Sequence, residues 1–315
     1  MHSSAKRYIW VFFSFFLMIM IVSYIAHQLT SQQPAKPLPS AEVDINKSKY
    51  VTIRDTNGTT ILETGIPVSV DDEYISAENQ HYVILKVEGN TAVAGIKSQN
   101  TNKENINVIP SANLLFPDNV RINTSNISVA IYHTHNDECY RLTSGINTRV
   151  PDGDIIKVGT ALAKDLNDHG IVAVHQNNNH GPHDINAYSR SRRTAVQLLK
   201  ATPDAIFDIH RDSAPAATYL TQINGIETAR IMIVLGRSNP AMSTNLEFAR
   251  RIKDEADTLY PGLMRGIYMG RGDYNQDLYA RALIFEIGSE EISLNVADKA
   301  AGCLADVIIA VFGKR

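Results

Sequence analysis

The chain has 315 residues, with 30 Lys+Arg against 33 Asp+Glu and a formal net charge of −3. That length is room for one large domain or two smaller ones, and a composition 44% hydrophobic and 20% charged excludes a disordered or collagen-like bulk. The near-neutral balance excludes sequence-independent nucleic-acid binding, and two cysteines, Cys139 and Cys303, exclude a disulfide scaffold or a four-cysteine zinc module.

Residues 1–7 form a short tip that carries Lys6 and Arg7. Tyr8 to Ala26 come next as 19 residues without a charge, holding the single tryptophan, Trp10, and Phe12, Phe13, Phe15 and Phe16. At about 1.5 Å per residue, a helix of that length just crosses a hydrocarbon core of roughly 30 Å. Lys6 and Arg7 keep the N-terminus in the cytoplasm and export the chain beyond the apolar stretch. The alternative is a cleaved signal peptide, but cleavage after Ala26 sets Tyr24 where a small residue belongs. An uncleaved anchor over 8–26 is the reading adopted. Residues 27–48 are polar, include Pro34, Pro37 and Pro39, and read as a tether.

Residues 49–97 read as a small β-rich unit. KYVTIRDTNGTTILETGI holds two alternating apolar runs around Asn57-Gly58, a hairpin-turn dipeptide, and HYVILKV and TAVAGI are joined by Glu88-Gly89-Asn90. No catalytic cluster occurs here, so the unit reads as a spacing or interaction module. Residues 98–118 are polar, contain two prolines, and read as a second linker.

From 119 to 315, short apolar runs alternate with helix-period segments. Strands are predicted at Ser128–His133, Ile171–Val174, Ala205–His210, Arg230–Leu235 and Ala282–Ile287. Helices are predicted from Ile155 to His169, from Asn186 to before Pro203, from the capping-box pattern Thr244-x-x-Glu247 to Pro261-Gly262, and through Ala300, Leu304, Val307, Ile308 and Val311. The alternation predicts an α/β fold, a mostly parallel sheet with helices on both faces. Sites in such sheets lie at the C-terminal strand ends.

Three strand ends carry His or Glu. The first runs into His133-Thr134-His135-Asn136-Asp137-Glu138, and strand alternation puts His133 and His135 on one face. The third ends in His210, with Arg211 next in the chain, and the last in Glu286. A hydrolytic zinc site uses three N/O ligands and keeps a position for water, with a further carboxylate to move the proton. The sequence offers one of His133 and His135, together with Glu138 and His210, as ligands and Glu286 as base. Asp208 shares a face with His210 and is placed to orient an imidazole or to pair with a neighbouring cation. His175, His180 and His183 form a competing cluster in an Asn/Gly/Pro-rich loop, better read as overhanging the site and contacting substrate. YSRSRR, from Tyr188 to Arg193, offers arginines to grip a carboxylate or to form a solvated face.

These motifs, YHTHNDECY, GIVAVHQ…HD…AYSRSRRT, DIHRDS, YPGL…RGI and YNQDL…AL…E-x-G, occur in order over about 125–312 and resemble the stage II sporulation protein P family. That family is similar to zinc-dependent N-acetylmuramoyl-L-alanine amidases. The resemblance implies a membrane-anchored hydrolase that cuts the amide between the glycan's lactyl group and L-alanine, with endopeptidase activity on peptide cross-links. It implies Zn2+ held by His133 or His135, Glu138 and His210, with Glu286 catalytic; from the residues themselves, Arg211, Tyr188, Arg190 and His183 are expected to contact substrate. It further implies engulfment at the forespore septum, in the intermembrane space, with stage II sporulation proteins D and M as partners. Cys139 departs from the family pattern, where a serine is expected. A cross-link endopeptidase and a non-catalytic wall-binding scaffold are the rival readings.

Overall fold

Side-chain alternation decides most of the strands. A computed structural model describes Met20 and residues 50–97, 127–184 and 186–313. The expected anchor at 8–26 (Met20 aside), the tether at 27–48 and the linker at 98–118 lie outside the described residues. Among the described residues, no helix is long and apolar enough to cross a membrane. All three long described stretches belong to one unit, Ser40–Arg315.

The N-terminal hairpins form as the sequence predicts. Strands β1 (Val51–Asp55) and β2 (Thr60–Thr64) pair antiparallel, and Gly58 in their turn has φ 88°. Between the hairpins lies β3 (Glu73–Ser76), too short to show a pattern in the sequence. β4 (His81–Glu88) and β5 (Thr91–Ile96) make the second hairpin.

The rest alternates strand and helix. In order come β6 (Ser128–Tyr132), α1 (Arg141–Ser144), α2 (Ile155–Asp168), β7 (Val172–His175), α3 (Ala187–Leu199) and β8 (Ala205–Asp212). Next are α4 (Ala216–Tyr219), the hairpin β9 (Leu220–Ile223) and β10 (Ile226–Ala229), and β11 (Ile231–Gly236). The chain closes with α5 (Met242–Leu259), β12 (Met264–Gly270), β13 (Ala282–Ser289) and α6 (Leu294–Gly313). Helix α5 begins ahead of the expected capping box, and the Thr244 hydroxyl donates to Ala241 O at 2.8 Å. β12 escaped the sequence reading because two glycines interrupt it and all its residues are buried, which removes polar alternation.

All strands but β9 and β10 join one sheet, in the order β2-β1-β5-β4-β3-β12-β11-β13-β8-β6-β7. Among this sheet's strands within 128–289, four of the five pairings are parallel and β11–β13 is antiparallel. The β-rich unit is not set apart from this sheet. β3 pairs antiparallel with β12, Ile75 opposite Ile267, and the Tyr74 hydroxyl donates to Arg265 O at 2.7 Å. Buried Lys253 of α5 donates to Ala77 O at 2.9 Å and Asn79 Oδ1 at 2.8 Å on the turn after β3.

Alternation along each strand sends side chains to two cores. On one face Ile131, Phe207, Ile209, Ile233 and Phe285 pack with α2, α5 and α6. On the other, Ala130, Tyr132 and Ile206 meet Ala195 and Leu198 of α3. Beside them Met232, Val234, Tyr268 and Ile284 meet Val51, Ile53, Leu62 and Ile84 of the β-rich unit. The N-terminal strands therefore do for β11–β13 what α3 does for β6 and β8.

Residues 119–315 produced without those strands are expected to aggregate, because β12 becomes an open edge and a buried apolar face is uncovered. Sedimentation and urea unfolding of both lengths check this; equal solubility and equal midpoints would make the β-rich unit dispensable.

Candidate metal centre

β6 stops at Tyr132 because the next residue but one is captured by its neighbour. Thr134 donates its backbone N–H to Asp208 Oδ1 at 2.7 Å and its hydroxyl to Oδ2 at 2.6 Å. The chain turns there, and the expected alternation of His133 and His135 is lost. His133 is fully buried, with Nδ1 2.8 Å from Ile209 O and Nε2 2.8 Å from His175 Nε2. Burial, reinforced by His175, lowers its pKa to about 3, so this imidazole is neutral. His133 is thereby placed outside the ligand group, which corrects its inclusion among the ligand candidates.

His135 turns the other way and meets Glu138 and His210. Their candidate ligand atoms all lie within 4.8 Å of one another. Glu138 Oε1 sits 3.5 Å from His135 Nδ1 and 3.5 Å from His210 Nδ1. Its other oxygen, Oε2, accepts the Arg211 backbone N–H at 2.9 Å, which fixes the carboxylate across from β8. Asp208 Oδ1 lies 2.9 Å from His210 Nε2, leaving Nδ1 facing the cluster.

These residues fit a zinc ion. Two imidazole nitrogens and one carboxylate oxygen are a hydrolytic donor set, and tetrahedral bonds of about 2.0–2.1 Å put ligand atoms about 3.4 Å apart. The 3.5 Å separations are too long for hydrogen bonds and match that spacing. Electrostatics agree. Burial alone pulls the His210 pKa down, yet Asp208 and Glu138 outweigh it and hold His210 well above the ordinary imidazole range. Burial likewise opposes ionisation of Glu138, but His210 and Arg211 keep it well below the usual carboxylate range. The pocket is built to stabilise positive charge between the two imidazoles.

Glu286 stands on β13 directly across the parallel ladder from His210. Its Oε2 is buried without a hydrogen-bond partner, and burial pushes its pKa well above the carboxylate range despite the nearby His210 charge. A carboxyl so placed keeps one oxygen clear of protein hydrogen bonds, as a proton-transferring group requires.

The expected substrate residues divide. The His183 ring stacks on His135 with centroids 3.7 Å apart, and its Nδ1 lies 3.1 Å from Asp137 Oδ1. The Tyr188 ring is 5.6 Å from that of His135 and 6.4 Å from that of His210. Arg190 instead binds His180 O, Pro182 O and Asp184, so it shapes the loop beneath His183. Arg211 is turned into the interior, donating to Cys139 O, Asn147 O and Ser213 Oγ. Its expected grip on substrate is corrected: Arg211 is the next residue after His210 on a strand, so its side chain takes the opposite face.

The rival histidine cluster does not assemble. His175 meets His133, His180 bonds His133 O and Thr194 Oγ1, and His183 lies on His135. Cys139 is fully buried, and burial raises its thiol pKa, so it is an inert small residue. Sequence reasoning missed Asp137, adjacent to Glu138 and already visible in the motif, and Tyr274, whose ring lies 5.2 Å from Tyr188. Only the glycines around Tyr274 signalled an unusual loop.

His135→Ala and His210→Ala are expected to abolish stoichiometric zinc binding, and Asp208→Asn to weaken it about 10–100-fold. His133→Ala should keep the metal while losing about 1–3 kcal/mol of stability through the buried groups it leaves unpaired. Zinc titration and urea unfolding of the four variants check this; loss of zinc in His133→Ala would return that residue to the ligand set.

A family model described as Stage II sporulation protein P matches residues 47–309. Stage II sporulation protein P of Bacillus subtilis (strain 168) is 28% identical over 248 residues, 73% of this chain and 60% of that protein. The chain thus spans about 60% of the length of the curated relative it matches. Among solved structures, the apo form of the N-acetylmuramyl-L-alanine amidase Ami1 from Mycobacterium abscessus is 15% identical, with a TM-score of 0.42, over 60% of this chain and 99% of that one. The CwlD amidase from Clostridioides difficile, in complex with the GerS lipoprotein, is 10% identical, with a TM-score of 0.42, over 60% and 100%. The resemblance carried by the strand-end motifs therefore holds across the matched length, and the chain belongs to the Stage II sporulation protein P family.

Proposed function

We propose that this chain is a peptidoglycan hydrolase of sporulation that cleaves the amide between the lactyl group of N-acetylmuramic acid and L-alanine. The observation that supports it best is the convergence of His135, Glu138 and His210 beside buried Glu286, in a member of this family. Zinc, held by those three side chains, would polarise the substrate carbonyl and activate water.

The protein residues have separable tasks. Glu286 takes the proton of the attacking water and returns it to the departing L-alanine nitrogen, aided by the burial that raises its pKa. Asp208 orients His210, and the Arg211 backbone N–H orients Glu138. His183 and Tyr188 flank the imidazoles and meet the bound substrate. The uncharged stretch at 8–26, preceded by Lys6 and Arg7, supports a single-pass anchor with the hydrolase outside the cytoplasm. In the family setting this is the forespore septum, beside stage II sporulation proteins D and M.

The zinc-loaded full chain is expected to release stem peptides with a free L-alanine amine and to leave peptide-free glycan strands, both identified by mass. Glu286→Gln should lower kcat about 10²–10⁴-fold while retaining zinc. A chelator should stop hydrolysis and added zinc restore it. Products cut solely at cross-links would make the chain an endopeptidase, and zinc binding without any cleavage would make it a wall-binding scaffold.

A further inference from the structure

Tyr274 occupies a backbone conformation that its side chain disfavours. Six described residues other than glycine have positive φ, and Tyr274, at 52°, is the single aromatic one; its neighbour Asn275 has φ 59°. Bulky residues are rare outliers there, and the strain persists where the surroundings over-determine it. Here they do. Arg237 N–H donates to Gly270 O at 2.7 Å, Ser238 N–H to Gly272 O at 3.1 Å, and Gly236 N–H to Gln276 Oε1 at 2.8 Å. Asn275 Nδ2 reaches Tyr188 O at 3.0 Å and ties the loop to α3.

The loop is shaped around the ring. A Cβ on Gly272 would fall 2.5 Å from Tyr274 Cε1 and Cζ, so the ring lies across bare backbone. Its centroid is 5.2 Å from that of Tyr188, whose own ring lies within 15° of parallel to His210 at 6.4 Å. Both tyrosines are half-buried and rest on the core shared with Ile66 and Val68 of the β-rich unit. Two neighbouring half-buried aromatic rings thus adjoin the His210 imidazole.

We propose that Tyr274 and Tyr188 form a saccharide subsite, with the C–H face of a pyranose ring lying on Tyr274. This rests on the peptidoglycan reading above. An aromatic face is electron-rich and attracts the polarised C–H groups of a sugar, while the sugar's hydroxyls stay in water. The scissile amide joins a peptide to a lactyl group borne by a sugar, so a saccharide must lie next to the reacting carbonyl. A ring held rigid before binding loses little freedom when it is covered.

Tyr274→Gly removes the ring and relaxes the backbone, and the test compares substrates within each variant so that any change in stability cancels. The zinc-loaded full chain is assayed on a disaccharide-bearing stem peptide and on the same peptide carrying the lactyl group without sugar. The ratio of kcat/KM between them should fall about fivefold in Tyr274→Gly, through KM, and stay within about twofold in Tyr274→Phe. An unchanged ratio, or equal loss on both substrates, overturns the subsite. If the unaltered chain cleaves neither substrate, the hydrolase reading fails by itself. Equilibrium binding of the disaccharide-bearing peptide then decides the subsite: Tyr274→Gly must bind about fivefold more weakly, and equal binding overturns it.

Discussion

The arrangement of the site depends on one buried carboxylate, Asp208. It ends β6 by accepting both donors of Thr134, which sends His133 into the core and His135 towards His210. It also faces His210 Nε2, so the same group that breaks the strand orients a ligand. Thr134 passes the constraint on, since its hydroxyl meets Ser191 Oγ at 2.7 Å and Ser191 meets Asn275 Nδ2 at 3.1 Å. From Asn275 the chain of contacts reaches Tyr188 O and the strained loop. A connected polar network of this kind in a low-dielectric interior fixes positions more tightly than packing alone.

A second constraint joins the N-terminal strands to the opposite side of the site. Asp212, two residues beyond His210, accepts the Gly65 N–H at 2.7 Å and the Tyr219 hydroxyl at 3.0 Å. The Arg265 guanidinium lies over the Tyr219 ring at 4.1 Å and donates to Glu63 O at 3.0 Å. Gly65 is required at this joint because a Cβ would fall 2.6 Å from the Ser213 Cβ. The unit that reads in sequence as a spacer is physically a wall beside the β8 end. Its strands supply core to one face of the sheet, and Gly65, just after β2, supplies a backbone donor to the site's margin.

Legibility in the sequence tracks the range of the interaction. Local periodicity and turn dipeptides located both N-terminal hairpins and the strands β6, β7, β8, β11 and β13, because those signals act between near neighbours. His210 and Glu286 were visible as strand-end residues, and their register across β8 and β13 comes from parallel pairing. The choice between His133 and His135 was not legible, because it depends on a hydrogen bond between residues 74 positions apart. The docking of Gly65 spans 147 positions and leaves no local trace. Arg211 was a different kind of error: alternation on β8 already separated it from His210. The conformation of Tyr274 is written only indirectly, in the glycines that make room for its ring.

The charge distribution bears on how such a site would find its substrate. Removing the first 26 residues leaves 28 basic and 33 acidic residues, a net charge of −5. The site is itself acidic, with Glu138, Asp208, Asp212 and Glu286 buried around His210. A mildly acidic protein gains no long-range attraction to an anionic wall polymer. Under the proposed anchoring, encounter relies instead on attachment to the membrane, which holds a site at an effective concentration of about millimolar. Strong ground-state binding is then unnecessary, and interactions serve catalysis better when they tighten only as the amide is attacked. Short-range contacts suit that division: under the proposed reading, ring faces would align the saccharide, while the buried carboxylates and imidazoles would be set against the carbonyl and the leaving nitrogen.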